Sequence, residues 1–202
     1  MIAEAAYFMA ARRGLTGGDP VADWVAAERE ISRVMPTAKL QKEELAAYEK
    51  LRSELTELFS GMRGTVSPEN IRHAFDTALE KIRTAGIYAA ETISKVADTT
   101  KKDMANLAAE MGPGWEKYSE KTAGIFGVWR ERGGAYIAAA AKAVGEWLQQ
   151  MGAKVERQVY RSGEVTYGGI LECTACGKRI ELDTAAHVPL CPGCRNGTFR
   201  RI

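Results

Sequence analysis

The sequence predicts a mostly α-helical protein with a small β module at its C-terminus. Three observations lead there. Apolar residues recur at spacings of three and four from about residue 37 to residue 82, and less regularly on to residue 107, the period of a helix face. After Val155 the composition shifts to Tyr, Val, Thr, Gly and Ile, with Gly163, Gly168 and Gly169 as turn points, the pattern of short strands and hairpins. All four cysteines fall in the last thirty residues, as two C-x-x-C pairs. The expected division is an N-terminal helical hairpin over 1–35, a long-helix hairpin, bundle or coiled coil over 37–154, and the β module over 155–202.

Gly and Pro set the element boundaries. Ile2 to Arg13 reads as a short helix stopped by Gly14, with a turn at Gly17-Gly18. Asp19 caps a second helix with Pro20 at its first position, where a missing N–H costs nothing because that group has no partner within the helix. This pair ends near Met35-Pro36. A third helix is expected from about Thr37 to Ser60, where Leu40, Leu45, Tyr48, Leu51, Leu55, Leu58 and Phe59 form a stripe that another helix must cover. Ser67-Pro68-Glu69 supplies the cap, first position and acidic first turn of the next. From Pro68 to Met111 only Gly86 interrupts, and a glycine costs about 1 kcal/mol against Ala without being obliged to end a helix. Unbroken, that helix would be about 66 Å long at 1.5 Å per residue. Gly112-Pro113-Gly114 stops it. A last helical region runs from Trp115 to about Lys154, with Gly133-Gly134 expected to kink or divide it and its aromatics (Trp115, Tyr118, Phe126, Trp129, Tyr136, Trp147) expected to pack between helices.

Twenty-eight Lys and Arg against 26 Asp and Glu leave a formal charge of +2, too little for a global field that draws the chain to nucleic acid or anionic lipid. Such binding would have to be local. No uncharged run approaches the ~18–20 apolar residues of a membrane span. At the N-terminus Arg12 and Arg13 follow the apolar stretch, the reverse of a secretory signal. A cytoplasmic setting and no membrane partner are expected.

In a reducing compartment, two C-x-x-C units within 22 residues point to a metal and not to a disulfide framework. Cys173-Thr-Ala-Cys176-Gly177 is followed, after fourteen residues, by Cys191-Pro-Gly-Cys194. Two residues between cysteines let both thiolates of a tight turn face one ion, and Gly177 supplies the positive φ such a knuckle favours. Lys178 to Leu182 and Gly197 to Ile202 alternate as strands, completing a zinc ribbon. One structural zinc is the expected cofactor. With four thiolates no coordination position stays open for catalysis, and the ion contributes about 10–16 kcal/mol to folding so small a module. Rubredoxin-like iron in the same thiolates is the alternative, although no aromatic cluster lies between the knuckles to shield a redox iron.

Tyr160-Arg-Ser-Gly-Glu-Val165, Gly169-Ile-Leu-Glu-Cys173, Cys191-Pro-Gly-Cys194 and Phe199-Arg-Arg201 together resemble the tail of a family of bacterial zinc-ribbon-containing proteins of unknown function, with charged helices ahead of the ribbon. The resemblance covers residues 158–202; Arg195 stands where the second knuckle of that family usually continues with Gly. Residues 2–31, from Ile2-Ala-Glu-Ala-Ala-Tyr7 through Asp23-Trp24-Val-Ala-Ala-Glu28, resemble a short bacterial helical motif, also without an assigned function. Neither implies a reaction.

No Ser/His/Asp set, Gly-rich phosphate loop or Glu-x-x-His pair occurs in the helices, so no enzyme is expected. His73 reads as a surface or half-buried helix residue and His187 as a loop residue, since four thiolates already satisfy the ion. Lys178, Arg179, Arg195, Arg200 and Arg201, with Phe199 and Tyr167, are candidates for a contact surface, either for a protein partner or for phosphates and bases. The expected role is a non-catalytic adaptor or assembly protein that docks on protein partners, with self-association through the helices. A nucleic-acid-binding regulator and an iron electron carrier are the alternatives.

Overall fold

Helix starts follow the local chemistry of the chain. In the computed structural model, which describes residues 2–62, 66–110, 134–152 and 158–202, α1 spans Ile2–Arg12 and α2 Pro20–Val34. The Asp19 carboxylate accepts the Val21 N–H at 2.9 Å, capping α2 with Pro20 at its start. Helix α3 (Ala38–Gly61) begins after the cap Thr37, and α4 (Pro68–Thr84) after Ser67, whose hydroxyl accepts the Asn70 N–H at 3.2 Å. Helix α6 runs from Gly134 to Gln150. The stretch expected to be helical from Trp115 up to Gly133 lies outside the described residues.

The stretch from Pro68 to Met111 is not one helix. Gly86 takes φ +65°, the left-handed conformation that ends α4, and α5 covers Ala90–Glu110. Glu43 on α3 supports the restart. Its carboxylate accepts the Ala89 N–H at 3.2 Å and the Thr92 hydroxyl at 3.0 Å, so the start of α5 is capped by a side chain 46 residues earlier.

Helix α3 packs on α4 and α5, and α6 closes the group against α4 and α5. The stripe on α3 is buried as Tyr48, Leu51, Leu55 and Phe59, facing Ile71, Phe75 and Leu79 of α4 and Trp147 of α6. Each such side chain contributes about 1.5–3 kcal/mol by leaving water. Among the described residues no helix is long and apolar enough to cross a membrane.

The ribbon contains β1 (Tyr160–Arg161), β2 (Val165–Thr166), β3 (Gly169–Cys173), β4 (Arg179–Leu182), β5 (Ala186–His187) and β6 (Thr198–Arg201). They form two antiparallel sheets, one in the order β1-β6-β3-β4 and one of β2 and β5. β4 and β6 are the two strands that alternation predicted. Pairing sets Cys173 opposite Phe199 and Leu171 opposite Arg201, so these four share one face, while Glu172 lies between Arg179 and Arg200 on the other. β2 rests on α3 and α5 and β5 on α3. Val165, Tyr167 and Ala185 belong to the same apolar cluster as the helices, so packing crosses the composition change at Val155.

Candidate metal centre

Each cysteine pair sits in a tight turn built by backbone hydrogen bonds. In the first, the Gly177 N–H reaches the Cys173 carbonyl at 3.0 Å and the Cys173 N–H reaches Lys178 at 2.9 Å; Gly177 takes φ +71°. In the second, the Arg195 N–H reaches Cys191 at 2.8 Å and the Cys191 N–H reaches Asn196 at 3.0 Å; Arg195 takes φ +63°. The turns bring the ligand sulfurs of Cys173, Cys176, Cys191 and Cys194 within 4.8 Å of one another. Cys173 lies 3.5 Å from Cys194 and Cys176 3.6 Å from Cys191. Four sulfurs about 2.3 Å from one ion in a tetrahedron stand about 3.8 Å apart, so the set fits a single tetrahedral ion.

The electrostatics of the cluster call for a cation. Burial raises the Cys173 thiol, but the N–H groups of Cys176 and Ala175 and the Asn196 amide outweigh it and bring the pKa down to about 6. At Cys194 the Asn196 N–H favours the thiolate, yet the crowding sulfurs of Cys176, Cys173 and Cys191 push it up to about 12. Burial raises Cys191 as well. Cys173 is thus favoured as the thiolate while Cys191 and Cys194 are held towards the thiol, and a bound cation would oppose that by stabilising their thiolates. The residues that would hold the metal are these four cysteines.

Behind the metal end, a buried polar network joins the ribbon to the bundle. Asp103 of α5 accepts hydrogen bonds from the hydroxyls of Tyr48, Tyr160 (2.8 Å) and Thr166 (2.7 Å). Asn106, one turn on, donates to the Tyr160 hydroxyl at 2.8 Å and accepts the Gln158 N–H at 2.7 Å. Arg201, 2% exposed, donates to Thr166 and to the carbonyls of Tyr167 and Gly168, and its guanidinium stacks 3.7 Å from the Tyr167 ring. Burial raises the pKa of Asp103, and the nearby Arg201 charge and the three hydroxyls oppose the rise.

This placement corrects the contact surface read from the sequence. Lys178, Arg179 and Arg200 are exposed, but Arg179 and Arg200 both pair with Glu172. Phe199 and Arg201 are buried, because a period of two turns both inward and only Arg200 outward. Arg195 pairs with Glu30 of α2. Tyr167 is buried under Arg201. His73 is on the surface, as expected. His187, expected in a loop, lies in β5 and meets Glu44 of α3 at 2.8 Å with both side chains buried.

Sequence reasoning missed Asp103, although one signal was present. Ile93, Val96, Thr100, Asp103 and Leu107 follow one another at spacings of three and four, so Asp103 occupies a core position of its own helix. A carboxylate there requires buried partners.

A four-thiolate site on a β ribbon, packed against a helical bundle, defines a metal-binding protein of the zinc-ribbon class. The chain belongs to the zinc-ribbon containing domain family (DUF1451), whose model matches residues 61–202 and so takes in α4, α5 and α6 as well as the ribbon. A second model, described as a protein of unknown function (DUF2934), matches residues 1–33, the α1–α2 hairpin. No curated protein and no solved structure matched the chain.

Proposed function

We propose that the protein is a non-catalytic adaptor, stabilised by one structural zinc ion, that docks on protein partners through its N-terminal hairpin and adjoining ribbon. The observation that carries this reading is the outer surface of the hairpin. Tyr7, Val21 and Trp24 are 58%, 67% and 46% exposed, and Val21 and Trp24 lie one turn apart on α2. Aromatic side chains left in water are enriched where proteins meet. Zinc is favoured over iron because Thr174, Ala175, Cys176 and Gly177 are exposed, an open end that suits a redox-inert ion better than an electron carrier. Self-association through the helices belongs to the same reading.

A photo-crosslinker at position 24 of the zinc-loaded chain is expected to capture protein. Anisotropy titrations against labelled single-stranded and duplex nucleic acid, at low and near-physiological salt, are expected to show no binding. Salt-sensitive binding that is lost when Lys178, Arg179 and Arg200 are neutralised would replace the adaptor with a nucleic-acid-binding regulator. Visible absorption from thiolate-bound metal would replace it with an iron carrier.

A further inference from the structure

The second knuckle contains an oddity that the metal does not explain. Arg195 is one of two non-glycine described residues with positive φ, at +63°, a conformation that costs a side chain roughly 1 kcal/mol or more. The first knuckle meets the same need with Gly177, beside which an added Cβ would find open space. Arg195 instead sends its side chain, 11% exposed, across to Glu30 of α2. The left-handed turn aims that side chain, and the turn itself is held by the Arg195 N–H on the Cys191 carbonyl.

Other contacts join the same surfaces. Lys178, next after the first knuckle, places its ammonium 6.0 Å from the Phe8 ring centroid on α1. The β1–β2 turn meets the end of α2 at Gly163, where an added Cβ would collide with the Val34 carbonyl. Between hairpin and ribbon lies a cavity of about 270 Å³, lined on one side by Phe8, Ile31 and Met35 and on the other by Leu190, Cys191 and Pro192. A metal ligand therefore forms part of the wall against which the hairpin rests.

We propose that the second knuckle is the receptor for the chain's own N-terminal hairpin, and that Arg195 holds the hairpin on the ribbon only while that knuckle is folded around its metal. Losing the ion frees the sulfurs, the left-handed turn opens, and Arg195 no longer reaches Glu30. The hairpin buries only Ala6, Asp23, Ala27, Ile31 and Met35, so apolar burial alone retains it weakly. Metal occupancy thus decides whether residues 2–35 are docked or released. This inference does not depend on the adaptor reading, because both surfaces belong to one chain.

Hydrogen exchange of the full chain, read by mass spectrometry with metal content measured on the same sample, tests it. In the zinc-loaded protein, residues 20–35 are expected to exchange slowly, and chelation is expected to speed them together with residues 169–202. Arg195→Gly suits the turn but removes the link, and Glu30→Gln removes it from the helix side. Each is expected to keep a full complement of zinc and to speed exchange of residues 20–35 by about fivefold, the scale of one lost ion pair with a partly exposed partner. Exchanging the two charges, as E30R with R195E, is expected to restore protection. Unchanged exchange of 20–35 in zinc-loaded Glu30→Gln, or after chelation, overturns the proposal, and Glu30→Gln decides it even if the knuckle variants lose metal.

Discussion

At its metal end the ribbon has four converging sulfurs and an apolar cluster of only six buried side chains, from Tyr160 to Phe199. At its bundle end, by contrast, Asp103 takes three hydroxyl hydrogen bonds within a network closed by Asn106 and Arg201. The two ends obey different physics. The metal end is too small to fold on its apolar area, so an ion does the work of a core. The bundle end has core enough from the helices and uses a satisfied polar network to set which face of the ribbon meets which turns of α3 and α5. Tyr160 belongs to both, with its ring in the ribbon core and its hydroxyl on Asp103.

The largest effect that would separate the ends is removal of the metal, or Cys173→Ser, which withdraws up to about 10–16 kcal/mol from the knuckles. Exchange protection is expected to collapse over residues 169–202, while the helical circular dichroism signal persists because α3 to α6 have their own core. An equal loss of both signals would show that the ends do not fold separately. Next comes Arg201→Met, which removes the buried hydrogen bonds to Thr166 and to the Tyr167 and Gly168 carbonyls and is expected to cost about 1–3 kcal/mol in a denaturant titration, with metal content unchanged. Loss of metal from that variant would join the two ends into one unit.

Smaller effects sharpen the picture. Gly177→Ala, at φ +71° with open space around the added methyl, is expected to cost only about 1 kcal/mol in the same titration, as backbone strain without a clash. A cost several times larger would mean that the turn bears on the metal geometry. The smallest effect concerns pH. Glu172 is held below the ordinary glutamate value of 4.5, first by its hydrogen bond from Arg200 and then by Arg179, with burial opposing. A depressed carboxylate stabilises the fold at pH above its unfolded value, and that stability is lost as pH falls below about 4.5 and through the folded value. Thermal unfolding of Glu172→Gln is therefore expected to vary less with pH below that value than unfolding of the natural chain, and parallel curves would remove Glu172 from the account.

The cysteine cluster and the starts of α2, α3 and α4 were legible because their physics is local. A C-x-x-C turn and a Ser-Pro or Asp-Pro cap need only neighbouring residues, and all of these lie where the sequence places them. Which of the basic residues turn inward was not legible. Counting Lys and Arg near the ribbon says nothing about which carboxylates return to meet them, and Glu172 and Glu30 meet three of the five while Arg201 turns into the interior. His187 was misplaced for the same reason, since its partner Glu44 lies 143 residues away.

By itself, then, the sequence determined the class of fold, the two cysteine turns and the points where α2, α3 and α4 begin, because short-range sterics and hydrogen bonding settle each of these within a few residues. Only the tertiary structure decided that a new helix starts at Ala90, since Glu43 of another helix caps α5. It alone decided that Arg201 serves the interior and Arg195 the hairpin. The energy of a buried charge depends on partners brought together by folding, and spacing along the chain does not encode them.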